Sequence, residues 1–102
     1  EVAERHGLEL DIVRHSWLPP TRLDTDLHAR LCRHADALGA PYRTMPSGAG
    51  HDAQTFARHV PAGLIFVPSV GGISHAPNEH SDWDSIHPGA TLLARAVAEL
   101  AV

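Results

Sequence analysis

Two short stretches of the chain carry side chains that could do chemistry. Gly71-Gly72-Ile73-Ser74-His75-Ala76-Pro77-Asn78-Glu79 presents an imidazole and, four residues on, a carboxylate. A glycine pair lets the backbone turn tightly ahead of them. Neutral imidazole suits zinc or a similar divalent ion, so His75 is read as a metal ligand, with Glu79 behind it to orient the loop or the ligand. A surface histidine in a turn would have the same local sequence. His80 is a weaker candidate for a second ligand, by proximity alone.

The second stretch is Ser47-Gly48-Ala49-Gly50-His51-Asp52. Its small residues let a ligand approach the backbone closely, and a helix start just beyond would turn free N–H groups outward, a geometry that favours an anion such as a substrate carboxylate. Ser47, Gly48, Ala49 and Gly50 are therefore substrate-binding candidates, with His51 beside them in the site. A tight turn would have the same composition, and Asp52 suits the positive end of a helix dipole. The stretch lacks the Lys-Ser/Thr ending of a P-loop. No Gly-X-Ser-X-Gly elbow occurs, and no serine stands in an arrangement that marks an activated nucleophile. No catalytic residue is assigned within the chain.

These loops need elements to hold them. Leu64-Ile65-Phe66-Val67, closed by Pro68, reads as a buried strand that delivers the chain to the His75 loop at its carboxyl end, where open α/β sheets gather their sites. Pro41 to Met45 is a weaker strand candidate ahead of Ser47, and residues 51–58 read as a helix. Asp24 or Thr25 can cap a helix from about Asp26 to Leu38, with Leu27, Leu31, His34 or Ala35, and Leu38 on one face and Gly39 as its stop. Ser81 or Asp82 can cap a last helix, expected from about Pro88 to Leu100. Glu1 to His6 resembles the final turns of a helix ended by Gly7, and Leu8, Leu10 and Ile12 alternate with Glu9 and Asp11 as in a half-buried strand. Pro19-Pro20 breaks regular structure before the rest begins. The expected class is α/β, a sheet layer with helices packed on it, and the prolines read as a domain-crossing linker that sets the first helix tail and strand apart from the rest.

Composition narrows the partners. The chain has 102 residues, enough for one modest core, and a formal charge of −4 with no lysine. No basic run interleaved with aromatics favours nucleic acid, and no apolar stretch nears the ~20 residues of a membrane span. The expectation is a soluble, cytoplasmic protein with no nucleic acid or membrane partner. Cys32, the lone cysteine, is expected to pack as a small hydrophobe. Histidines 6, 15, 28, 34, 59 and 87 have no partner at ligand spacing and read as solvated or helix-terminal.

Met45 to Gln54, Leu64 to Ser69, and Gly71 to His75 with Glu79 and Gly89, taken in order, resemble the C-terminal part of the M20 peptidase-like amidohydrolases. The nearest branch is the hydantoinase/carbamoylase group of N-carbamoyl-L-amino acid hydrolases, allantoate amidohydrolases and ureidopropionases. The resemblance implies a metal-dependent hydrolase of linear amide or ureido C–N bonds, built from a catalytic domain interrupted by a lid and dimerisation domain. Residues 1–18 would then be the helix tail and strand that end the lid, and residues 19–102 the C-terminal segment of the catalytic α/β sheet domain. It implies two divalent ions, zinc or manganese, that activate a water, with His75 as the last metal ligand and Ser47 to Gly50 at the substrate carboxylate. It further implies a small N-carbamoyl amino acid or ureido substrate, and a homodimer as the full-length protein. The general base and the other ligands would lie in sequence outside this chain, so these residues alone should be inactive. The rival expectation is a non-catalytic carboxylate-binding or assembly module.

Overall fold

A computed structural model describes residues 1–101. It contains helices α1 (Val2–Arg5), α2 (Thr25–Leu38), α3 (Asp52–Phe56) and α4 (Trp83–Leu100), with one 3₁₀ turn at Val70–Gly72. Helix α2 forms where its local signals place it. The Leu27 N–H donates to Asp24 Oδ1 at 2.7 Å, satisfying a free donor of the first turn. Gly39 ends the helix at φ 63°, a conformation glycine adopts without a Cβ penalty.

Helices α2 and α4 pack on each other. Ala35 and Ala96 are the buried residues among those described, at 2% and 4% exposure. Their small size allows the two backbones to approach. Glu99 of α4 closes the same seam by pairing with Arg30 and with His34 Nε2 at 2.5 Å on α2. Arg33 Nη2 stands farther from that carboxylate, at 3.8 Å.

Helix α4 begins at Trp83, with Asp82 as N-cap, and so starts earlier than the expected position near Pro88. Pro88 sits inside the helix, where it lacks the N–H that would reach the Asp84 carbonyl. Asp84 is an exposed residue. Only one helical bond is lost, just beyond the first turn. Helix α3 is shorter than expected, since residues 57–60 close as turns.

No strand forms among the described residues, and the expected strands at 8–13, 41–45 and 64–67 carry no ladder. A strand exists only by pairing, and none of these runs makes a backbone hydrogen bond to another extended run among the described residues. Residues 63–67 instead lie on the helices. A Cβ on Gly63 would stand 3.1 Å from Leu27 Cδ2 of α2, and one on Gly89 of α4 would stand 2.5 Å from Val67 Cγ1. The Asp24 N–H donates to the Ala62 carbonyl at 3.0 Å, tying the start of this run to the start of α2.

The N-terminal third is open. Leu8, Leu10, Ile12 and Val13 are all more than 60% exposed. The radius of gyration is 18.6 Å, against roughly 13 Å for a compact chain of this length.

Candidate functional site

The His75 loop is shaped by its glycines and by Glu79. Gly71 and Gly72 both take positive φ, 66° and 68°, and turn the chain sharply after Val70. The Val70 N–H donates to the His80 carbonyl at 2.7 Å, which closes the base of the loop. His75 itself has φ 56°, the one positive value at a non-glycine residue among those described. That conformation costs an L-residue roughly 1 kcal/mol or more and needs an external restraint. Glu79 supplies one: its Oε2 accepts the His75 main-chain N–H at 2.8 Å, while the Glu79 N–H donates to the Ala76 carbonyl at 2.9 Å. The Glu79 carboxylate thus holds backbone, and the His75 imidazole stays exposed. His80 turns away to Asp82, with Nε2 at 3.6 Å from Oδ1.

The second stretch folds on itself. Ser47 Oγ donates to the Ala49 carbonyl at 2.9 Å, accepts the Ala49 N–H at 3.2 Å, and lies 2.9 Å from His51 Nε2. His51 is the N-cap residue of α3 but does not cap it with its side chain, because the ring is turned to Ser47. The Phe66 ring meets the His51 ring edge-on, with centroids 5.4 Å apart and planes at 61°. Helix α3 has only five residues. The N–H of Gln54 already bonds the His51 carbonyl at 2.9 Å, so the helix start offers fewer free donors than its sequence promised.

Ser47, Ala49 and His51 line a cleft of about 770 Å³ between α2, α4 and the runs at 40–49 and 63–68. His75 and Glu79 lie outside its lining. The cleft thus brings Ser47, Ala49 and His51 together without His75 or Glu79. No group of three or more His, Cys, Asp or Glu side chains capable of holding a metal occurs among the described residues.

Some contacts were invisible in the sequence. His34 is no free histidine: it meets Glu99 across a separation of 65 residues. His28 Nε2 bonds Thr44 Oγ1 at 3.1 Å and lies 3.8 Å from Cys32 Sγ. Their i, i+4 spacing on one helix could have revealed the His28–Cys32 contact. Cys32 is half-buried, and its thiol beside Tyr42 pushes the phenol above its ordinary range. The hydrogen bond from His34 to Glu99 holds that carboxylate below its ordinary range, with Arg30 adding to the effect against partial desolvation.

Comparison with known proteins decides the family. The model of peptidase family M20/M25/M40 matches residues 7–99. The chain belongs to that family. Among M20 relatives, it is 40% identical to an uncharacterised hydrolase of Haemophilus influenzae over 99% of the chain and 25% of that protein. It is 38% identical to allantoate amidohydrolase of Escherichia coli over 93% of the chain and 23% of that protein. It is 34% identical to N-carbamoyl-L-amino-acid amidohydrolase of Paenarthrobacter aurescens over 98% and 24%. The chain spans about a quarter of the length of the relatives it matches. The resemblance read from three ordered motifs holds, and these M20 relatives are hydrolases. No helix among the described residues is long and apolar enough to cross a membrane.

Proposed function

We propose that the chain is part of a cytoplasmic, homodimeric metal-dependent amidohydrolase that cleaves a linear amide or ureido C–N bond, of the allantoate or N-carbamoyl-L-amino acid type. The observation that carries this reading is the family match over residues 7–99, which contains both candidate stretches and reaches relatives with those two activities. On this reading residues 19–102 belong to an α/β catalytic domain and residues 1–18 to its lid. The unpaired runs at 41–45 and 64–67 then join a sheet whose other strands lie elsewhere in the protein.

In this proposal His75 offers one imidazole to a metal centre, and Glu79 keeps the main chain of His75 in place for it. A single imidazole does not hold a catalytic ion, since such zinc sites take about three protein ligands. The remaining ligands come from outside these residues. When bound, zinc or manganese supplies a water made nucleophilic at neutral pH. Ser47 to Gly50 shape the wall that receives the carboxylate end of the substrate, and His51 stands beside it.

The test uses the complete gene product. Ammonia release from allantoate and N-carbamoyl-L-amino acids should be abolished by a chelator and restored by zinc or manganese. His75→Ala should lower the bound metal measured by elemental analysis as well as turnover. Absence of turnover on every ureido substrate with either metal overturns the proposed activity, and unchanged metal content in His75→Ala overturns the ligand role.

A further inference from the structure

The contacts at Ser47 can be counted. A serine hydroxyl has one proton and two lone pairs. Its oxygen stands 2.9 Å from the Ala49 carbonyl oxygen, and two oxygens at that distance repel unless a proton lies between them. The carbonyl has none, so the proton is serine's. The Ala49 N–H takes one lone pair at 3.2 Å. One lone pair is left for His51 Nε2 at 2.9 Å, and a lone pair accepts only from N–H.

The geometry points to Ser47 as a positioning residue that fixes His51 as the Nε2–H tautomer, leaving Nδ1 as the nitrogen that accepts an N–H of the substrate. No hydrogen bond reaches Nδ1 among the described residues, and Phe66 restrains the ring plane from its edge-on contact. His51 lines the cleft and is half-buried, so its ring stands at a surface that a ligand can reach. A neutral Nδ1 repels a carboxylate and attracts an N–H donor, which ureido and amide groups carry in abundance. Two consequences follow for the proposed function, on which the ligand half of this inference rests. Ser47 has no spare proton for a substrate carboxylate, so its part in the loop is to orient His51. The 2.9 Å Ser–His distance also has the look of a nucleophile and its base, but a base must receive the hydroxyl proton, and here the Ala49 carbonyl holds it.

The decisive measurement is the nitrogen NMR spectrum of the complete protein labelled in histidine, with the His51 signals identified by their loss in His51→Gln. Above the range where imidazole protonates, Nε2 should carry the proton and Nδ1 should be bare. The opposite tautomer overturns the inference, and His51→Asn supplies the same identification where His51→Gln fails to fold. Ser47→Ala should release the ring to a mixture of tautomers and raise KM for an N-carbamoyl-L-amino acid about tenfold with a smaller change in kcat, and Ser47→Thr should restore both. An unchanged tautomer in Ser47→Ala, or labelling of Ser47 by a fluorophosphonate, also overturns it. A protein with the expected tautomer but no activity on any ureido substrate rejects the proposed function and the choice of ligand, and leaves the Ser47–His51 arrangement standing.

Discussion

At His75 the backbone lies in the left-handed region, φ 56°, and the restraint on it is a single carboxylate 2.8 Å from its N–H. Removing that carboxylate frees a strained residue, so Glu79→Ala in the complete protein should weaken metal binding about tenfold. Glu79→Gln keeps an oxygen acceptor and should lose much less. Metal titration of the two variants checks this: equal losses would mean that Glu79 acts by its charge on the ion rather than through the main chain. That the two residues stand together was legible from their spacing in a glycine-led loop. The job of Glu79 was not, because spacing brings a carboxylate near a histidine without telling its ring from its amide. Ser47 is the parallel case. A Ser-Gly-Ala-Gly run announces close backbone, but the hydroxyl's three partners depend on turn geometry that composition leaves open.

Among the elements, the seam between α2 and α4 is closed by Glu99, and its pH response has a definite sign. The carboxyl is held below its ordinary value of 4.5, so the ionised form favours the folded state. That contribution is present above 4.5 and disappears as pH falls through and below it. In thermal melts of the complete protein, Glu99→Gln should be less stable than wild type near neutrality, and the gap should narrow as the pH drops below 4.5. A gap independent of pH would show that packing and not charge is lost. Gly89 offers a second test at this scale. Alanine there meets Val67 Cγ1 at 2.5 Å, and the crowding should outweigh the gain of about 1 kcal/mol in helix propensity. Gly89→Ala should therefore destabilise by roughly 1 kcal/mol, and Val67→Ala in the same chain should convert the loss to a gain. Helix α2 could be read in advance because its cap, apolar face and stop all lie within Asp24 to Gly39. Helix α4 was misjudged at its start because Pro88 reads as a first residue, whereas its missing N–H costs the helix a single bond. The strands were legible as periodicity and absent as ladders, since pairing depends on residues these runs do not meet.

For the whole molecule, burial sets the limit. Ala35 and Ala96 are the only buried residues among those described, while Leu8, Ile12, Trp17, Phe66 and Trp83 are substantially exposed. Two buried alanines do not offset the conformational entropy of about a hundred residues. Residues 1–102 expressed alone should unfold without a cooperative transition in urea and bind a hydrophobic dye in buffer. A sharp sigmoidal transition with no dye binding would show a core that the described residues do not contain. The open run from Leu8 to Val13 has a further consequence, for self-association. Stacked in register, copies of this run would bring Glu9 over Glu9 and Asp11 over Asp11 at about 4.8 Å spacing, a ladder of like charges. Joined to a different strand, the same carboxylates stand opposite other residues and carry no such penalty. The alternation that leaves Leu8, Leu10 and Ile12 ready for a sheet therefore also guards against fibrils at neutral pH, and acidification, by discharging Glu9 and Asp11, should remove that guard.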